Sequence, residues 1–315
     1  MRVLPSKKFR RLFLAGALFF VLLMSLAILW VCWQVASSLT TDVPRVAIVG
    51  SPTDFGAENW REVTFTSSDG LQLNGWFVPP RADLNGATVL LVHGHGGSRL
   101  DYMNIAPFLV REGYGLLMFD LRASGTSEGE IVTMGCKEVW DVEAAFDFLT
   151  QQPEVNPDRI AIFGHSMGGT GAIRAMTRLP QARVLIASAA YSTFAATVAD
   201  GVKQVRPFPA FPIANIIVQM VTWQSDCDLS EVRPIDDIPH ISPRAALLIQ
   251  GTDDETIRRH NADELFAAAR APKELYVVEG AGHGDVYETD PAEYERRVLD
   301  FLSQYLRGDY LPADN

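Results

Sequence analysis

The residues best suited to chemistry surround Ser166, in the run Gly164-His165-Ser166-Met167-Gly168. An apolar run precedes them and a helix-compatible segment follows as far as Leu179, so the serine is predicted on a tight turn between a strand and a helix. Such a turn holds the serine Oγ clear of the sheet, and the helix that follows points its free N–H groups at the place where an oxyanion would form. This pattern predicts a serine nucleophile if a base and an acid follow in the chain.

The base and the acid are sought among residues that follow predicted strands, because a serine nucleophile needs both partners. Of the six histidines, His283 is favoured, since it lies between glycines directly after the last predicted strand. His165 is expected to point away from the nucleophile, and His93 to shape the loop beneath the site. Asp253 and Asp254 both follow a strand; the spacing favours Asp254 as the acid, whereas Asp253 suits a turn that bonds local backbone.

A glycine-rich loop, His93-Gly94-His95-Gly96-Gly97-Ser98, follows the third predicted strand. Its glycines would let the backbone approach a substrate, so the predicted oxyanion hole combines the backbone N–H groups of His95 and Met167. A loop of this kind before a helix can also hold a phosphate, but it lacks the Lys-Ser/Thr and the G-x-G-x-x-G that such sites use. We therefore expect no nucleotide cofactor, and since no Cys/His cluster has ligand spacing, no metal.

The elements that must position these residues form an alternating pattern. Apolar runs predict eight strands, at residues 60–66, 71–78, 88–93, 114–119, 160–163, 184–188, 245–249 and 273–278. The first two are expected to pair antiparallel across the turn at Ser68-Asp69-Gly70. The others are mostly unbroken apolar runs separated by helical patterns, which indicates an α/β fold with a mostly parallel sheet and helices on both faces.

One segment, residues 191–240, interrupts that alternation with prolines, aromatic residues and an apolar stretch. Loops of this length in a compact domain usually carry structure or function. We interpret it as a small helical cap over the site, with Phe208, Phe211 and Trp223 as candidate substrate contacts. The alternative is that the segment only packs on the edge of the sheet.

The N-terminus predicts a membrane anchor. A basic flank (1–11) precedes an uncharged apolar span (12–35), whose 24 residues would extend about 36 Å at ~1.5 Å per residue, enough to cross a bilayer. A linker (36–59), a catalytic domain (60–307) and a tail (308–315) follow. A cleaved signal peptide and a buried core helix are the alternatives, but a signal peptide has an apolar region of only about 7–15 residues.

Charge sets the expected orientation and excludes one class of partner. Five cations precede the span and only Arg45 follows it closely, so the N-terminus is expected in the cytoplasm and the catalytic domain on the other side. Without those five, 22 of the 27 Lys and Arg remain against 38 Asp and Glu, a net charge of about −16 that argues against nucleic acid. Cys32 lies in the span, and whether Cys136 and Cys227 pair stays open.

From about Trp60 to Leu306 the sequence resembles the α/β-hydrolase superfamily. Five motifs carry the resemblance: His93-Gly94-His95-Gly96-Gly97, Asp120-Leu121-Arg122-Ala123-Ser124-Gly125, Gly164-His165-Ser166-Met167-Gly168-Gly169, Gly251-Thr252-Asp253-Asp254 and Glu279-Gly280-Ala281-Gly282-His283. The order Ser166, Asp254, His283 is the order of that superfamily, and alignment by motif also puts the acid at Asp254. The chain departs from its relatives at Ala123, where they usually carry glycine.

The resemblance implies an α/β-hydrolase fold and a serine hydrolase of the branch that holds serine-aminopeptidase-like hydrolases and membrane-associated depalmitoylase-like proteins. The expected substrate is a small-molecule carboxylic ester, thioester or other acyl compound, with the bilayer as a partner through the N-terminal helix. An aminopeptidase or amidase acting on small peptides is the enzymatic alternative. A catalytically silent binding module tethered to the membrane is the other, and oligomeric state stays open.

Overall fold

A computed structural model describes residues 7–205 and 209–307. Its centre is an eight-stranded sheet in the order β1-β2-β4-β3-β5-β6-β7-β8. The strands are β1 (Arg61–Thr66), β2 (Gln72–Val78), β3 (Thr88–Val92), β4 (Gly115–Phe119), β5 (Ile160–His165), β6 (Val184–Ser188), β7 (Ala245–Gly251) and β8 (Lys273–Val278). β2 pairs antiparallel with both β1 and β4, and every other pair is parallel. The predicted fold class, including the antiparallel first pair, is confirmed.

Helices cover both faces of the sheet and bury one apolar cluster on each side. The described α-helices are α1 (Lys7–Thr40), α2 (Ala106–Arg111), α3 (Glu138–Thr150), α4 (Met167–Met176), α5 (Phe194–Gln204), α6 (Ala210–Ser225), α7 (Pro234–Asp237), α8 (His260–Ala268), α9 (Val286–Thr289) and α10 (Pro291–Leu302). Every residue of β3, β4, β6 and β7 is buried. Burial on both faces explains why these strands are continuous apolar runs in the sequence.

Residues 99–112, between β3 and β4, do not form one continuous helix. The structure has a 3₁₀ turn at Arg99–Tyr102 and only then the short α2. Pro107 lies in the first turn of α2, where its ring has no N–H to continue a helix from the preceding turn. The loop after β3 is therefore compact and lies close to the carboxyl ends of the strands.

The segment between β6 and β7 is helical, and we call residues 193–240 the insertion. It contains α5, α6 and α7, with 3₁₀ turns at Leu229–Glu231 and Ile238–His240. A disulfide joins Cys227, just after α6, to Cys136, just before α3, with Cα atoms 6.6 Å apart. The bond that the sequence left open thus ties the insertion to the body of the domain.

Helix α1 runs five residues beyond its predicted end at Val35 and becomes part of the folded domain. Cys32, Ala36 and Thr40 are buried. The Thr40 hydroxyl donates to Gln224 Oε1 (2.6 Å), and Gln224 Nε2 donates to Ser37 Oγ (3.0 Å). The first five residues of the predicted linker are therefore helical and pack along α6, while the earlier part of α1, long and apolar enough to cross a membrane, is exposed.

Candidate active site

Ser166 occupies the turn between β5 and α4, with φ 55° and ψ −121°. A positive φ is unfavourable for a serine and is found mainly where the surroundings enforce it. A Cβ on Gly168 would lie 2.1 Å from the Val92 carbonyl oxygen, and one on Gly164 would lie 2.3 Å from the Gly168 carbonyl oxygen. The two glycines are therefore required by space, and they let the helix start directly against the sheet.

Three side chains from three loops meet at the carboxyl edge of the sheet. The Ser166 Oγ lies 3.0 Å from His283 Nε2, and His283 Nδ1 lies 2.8 Å from Asp254 Oδ2. Because an ionised carboxylate only accepts hydrogen bonds, Nδ1 carries the proton and Nε2 is free to accept the serine proton. The structure thus brings together the three residues that the sequence selected, in the tautomer that a general base needs.

Asp254 is held by more than its histidine. Its buried carboxylate accepts hydrogen bonds from Gln250 Nε2 (3.0 Å) and from the backbone N–H groups of Thr256 (2.9 Å) and Ile257 (2.7 Å). Asp253 is exposed and accepts a local bond from the Thr252 hydroxyl (3.0 Å). Gln250 was missed by sequence reasoning, although a glutamine at the end of an otherwise apolar strand is a signal that could have found it.

The two residues predicted to donate to the oxyanion, His95 and Met167, both line the cavity that holds Ser166. Met167 is the first residue of α4, so its backbone N–H has no acceptor within the helix. The loop after β3 passes directly beside the serine, since a Cβ on Gly94 would be 3.3 Å from Ser166 Cβ. His95, the next residue, lines the same cavity as Ser166, Met167 and His283.

The ring of His95 contacts helix α1, which sequence reasoning did not foresee. Its Nε2–H donates to the Leu39 carbonyl oxygen (3.1 Å). Burial lowers the pKa of His95, and the hydrogen bond to Leu39 opposes this only in part. A neutral ring thus connects the carboxyl end of α1 to the loop beside Ser166.

A cavity of about 640 Å³ opens over Ser166 and His283. Its walls come from α1, the insertion and the loop after β7. The apolar side chains among its lining residues are Val35, Leu39, Met134, Met167, Phe194, Val198, Val202, Val205, Ile217 and Ile257. Its one described carboxylate is Glu255 at the rim. Such a cavity suits a substrate with an apolar acyl part.

The insertion contributes different side chains to this cavity from those predicted. Phe211 and Trp223 are 76% and 67% exposed and do not line the cavity, and Phe208 lies outside the described residues. Ala214, Ile217 and Val221 form the buried stripe of α6 at helical spacing, and Ile217 is the one that reaches the cavity. The choice of Phe211 and Trp223 as substrate contacts is corrected accordingly.

The other two histidines near the site, His93 and His165, have surroundings that suit a structural role. His93 is buried; its Nδ1–H donates to the Gly94 carbonyl oxygen (2.7 Å) and its Nε2 accepts the Leu121 N–H (3.0 Å). His165 faces a second cavity rather than the one over Ser166, yet its ring centroid lies 5.0 Å from that of His283. Burial, and then the charge of His283, lower the pKa of His165 to about 4.

Comparison with known proteins agrees with this geometry. A sequence profile of the alpha/beta hydrolase family matches residues 89–297, about two thirds of the chain. The chain belongs to the alpha/beta hydrolase family. Among curated relatives, the hydrolase is 30% identical to the uncharacterized protein YfhR of Salmonella typhimurium over 281 residues, covering 84% of the chain and 90% of YfhR.

A solved structure and a second relative are also informative. The hydrolase matches the Pyrococcus furiosus esterase Pf2001 with a TM-score of 0.71 and 27% identity, over 85% of the chain and 98% of the esterase. It is 25% identical to the polyketide transferase ATR5 of Stachybotrys chlorohalonatus, over 78% of the chain and 97% of that protein. The proteins similar to the hydrolase thus include one named as an esterase and one named as a polyketide transferase.

The low pKa of His165 predicts an acid-sensitive stability. An unfolded histidine binds a proton below about pH 6.5, whereas the folded one does so only near pH 4, so stability is lost as the pH falls through this window. The full difference corresponds to up to about 3 kcal/mol. We expect His165→Phe to flatten the fall in unfolding free energy between pH 7 and 4, measured by urea denaturation. His240→Gln, at an exposed histidine, should keep the wild-type fall in unfolding free energy with pH. If the unfolding free energy falls equally in the two variants, His165 is not the source of the acid sensitivity.

Proposed function

We propose that the hydrolase cleaves carboxylic ester or thioester bonds through an acyl-enzyme on Ser166. The observation that carries this proposal is the hydrogen-bonded chain from Ser166 through His283 to Asp254. His283 takes the serine proton as Oγ attacks the carbonyl carbon, then returns it to the leaving alcohol or thiol. It next deprotonates a water molecule that attacks the acyl-enzyme. His283 then gives that proton to the Ser166 Oγ as the bond to the acyl carbon breaks, which releases the carboxylic acid and restores Ser166.

Charge on the tetrahedral intermediate falls on the former carbonyl oxygen. The backbone N–H groups of His95 and Met167 are the proposed donors to that oxygen, because both residues line the cavity beside Ser166. Preorganised donors of this kind each contribute on the order of 3–4 kcal/mol to transition-state stabilisation. Asp254 keeps His283 in the required tautomer and stabilises the imidazolium that forms.

The apolar cavity favours an acyl substrate, and the N-terminal helix favours one at a membrane. In this proposal α1 is an uncleaved anchor, with the N-terminus in the cytoplasm and the catalytic domain outside it. The Cys136–Cys227 disulfide supports that placement, since such bonds persist in oxidising compartments. The thioester part rests on the resemblance to depalmitoylase-like proteins, and the ester part on the likeness to the Pyrococcus furiosus esterase.

A fluorophosphonate probe tests the nucleophile. We expect the full-length protein in detergent to be labelled, and Ser166→Ala to lose labelling entirely because the attacking oxygen is gone. Ser188→Ala is the matched control: its buried hydroxyl, at the end of β6, has no hydrogen-bond partner among the described residues, so labelling should persist. Absence of labelling in a folded wild-type protein would instead favour a catalytically silent binding module.

Asp254 and Asp253 provide a second pair of test and control variants. Asp254→Asn should lower kcat for a p-nitrophenyl ester by roughly 10⁴-fold, because the amide disfavours the tautomer of His283 that accepts the serine proton. Asp253→Asn, one residue away and exposed, should stay within about twofold of wild type. Comparable losses in the two variants would show that Asp254 is not the orienting acid.

Glu255 at the cavity rim supports the aminopeptidase alternative, since a carboxylate there could pair with a free substrate amine. Amino-acid p-nitroanilides and p-nitrophenyl esters of matched side chain separate the two activities. The proposal predicts that kcat/KM for the esters exceeds that for the anilides and does not change in Glu255→Gln. A preference for the anilides that Glu255→Gln abolishes would establish the peptidase.

A further inference from the structure

We infer that the groove between α1 and the insertion is an acyl-chain site that opens toward the bilayer and leads to Ser166. This inference rests on the proposed function and names its substrate class: esters or thioesters whose long acyl chain stays partly in the membrane while the carbonyl reaches the serine. The anchor helix is then one wall of the substrate site as well as a tether.

The groove lies beside the catalytic cavity and has a volume of about 290 Å³. Helix α1 contributes residues from Met24 to Val35, and the insertion contributes Val202, Val205, Ile213 and Ile217. Every described residue that lines it is apolar. A peptide would bring backbone amides that nothing described in the groove can satisfy, and burying them would be unfavourable. A hydrocarbon chain has no such groups.

The groove and the catalytic cavity have four lining residues in common. Val35, Val202, Val205 and Ile217 line both spaces. On the catalytic side, Leu39, Ser166 and His283 line the same cavity as these four residues. An acyl chain lying along these four shared residues would have its carbonyl end at the nucleophile and its methyl end beside Val31 and Met24.

The length of α1 places the far end of the groove at the depth of the bilayer. From Arg11 to Met24, where contact with the groove begins, 13 residues rise only about 20 Å, whereas a hydrocarbon core is about 30 Å thick. A spanning α1 needs about 20 residues, which reach Val31. The stretch from Met24 to Val31, and with it the open end of the groove, is therefore at hydrocarbon depth.

Two exposed apolar side chains of the insertion also agree with a groove that opens into the membrane. Helix α6 runs alongside α1 in the same direction, since Ile213 near its start faces the groove and Gln224 near its end bonds Ser37 and Thr40. Phe211, at the start of α6, and Val205, at the end of α5, are largely exposed on that same end. They would enter the membrane around the mouth of the groove, which accounts for apolar exposure that an aqueous surface does not favour.

The first test uses the wild-type protein alone, as the full chain in nanodiscs. Labelling rates are compared for alkyl fluorophosphonates with 2, 8 and 12 carbons. Each buried methylene is expected to raise the rate about fourfold until the groove is filled, so the 12-carbon probe should label at least tenfold faster than the 2-carbon probe. Equal rates would overturn the acyl-chain site while leaving Ser166 as the nucleophile; no labelling by any probe would overturn the proposed function itself.

The second test fills the groove. Val31→Trp and Ile213→Trp place bulk in the groove but outside the catalytic cavity, whereas Leu29→Trp lies on α1 outside the groove. We expect both groove variants to lower kcat/KM for a dodecanoate ester at least tenfold. Their kcat/KM for a butyrate ester should change less than twofold. Leu29→Trp should keep the wild-type kcat/KM for both esters. Retained butyrate turnover shows that the variants fold.

The groove variants have two other possible outcomes. An unchanged dodecanoate-to-butyrate ratio in the groove variants, together with an altered oligomeric state in detergent, would show that the groove receives a helix of a second copy or of another membrane protein. If the groove variants lose both activities, the chain-length series on the wild-type protein decides the question alone.

Discussion

At Ser166 the main chain has a φ of 55°, a conformation that costs on the order of 1–3 kcal/mol for a residue other than glycine. The surrounding structure holds it there. The Ser166 N–H donates to the Ser188 carbonyl oxygen (2.8 Å), and its own carbonyl accepts the Thr170 N–H (3.0 Å). With Gly164 and Gly168 packed against backbone on either side, the serine has no room to relax. The position of its Oγ, and with it the 3.0 Å contact to His283, follows from that constraint.

The loops that face Ser166 are held by buried charge. Arg99 and Asp120, both almost fully buried, form an ion pair at 2.8 Å that joins the loop after β3 to the loop after β4. Burial raises the pKa of Asp120, but the hydrogen bonds and charge of Arg99 outweigh it, so the pKa lies below its usual value. Removing one partner of such a pair costs more than the pair contributes, because the other charge stays buried. Ala123, in the same loop, has φ 57°, a backbone conformation that glycine adopts more easily than alanine.

The sequence was sufficient to predict the sheet, because strands buried on both faces are continuous apolar runs. It also predicted that Ser166, Asp254 and His283 lie close together, because each lies at or shortly after the carboxyl end of a strand. It was insufficient for the walls of the cavity. Ile217 and Leu39 reach the site through the packing of α6 against α1, a contact between segments about 180 residues apart that no local pattern encodes. Phe211 was predicted to contact substrate, yet its backbone at the start of α6 is not helical (φ −87°, ψ 133°) and its side chain is exposed. The hydrogen bond from the His95 ring to a carbonyl on α1 likewise depends on packing between segments that are far apart in the sequence.

The central claim is that an acyl group is carried by Ser166 during turnover, and mass spectrometry of the quenched enzyme tests it most directly. The full chain is mixed with a p-nitrophenyl ester, quenched in acid within milliseconds and digested for peptide mapping. The account predicts one acyl group per chain, on the peptide that contains Ser166, appearing with a burst of p-nitrophenol and absent from Ser166→Ala. An acyl group on another residue, or full turnover with no acylated peptide at any quench time, would contradict it.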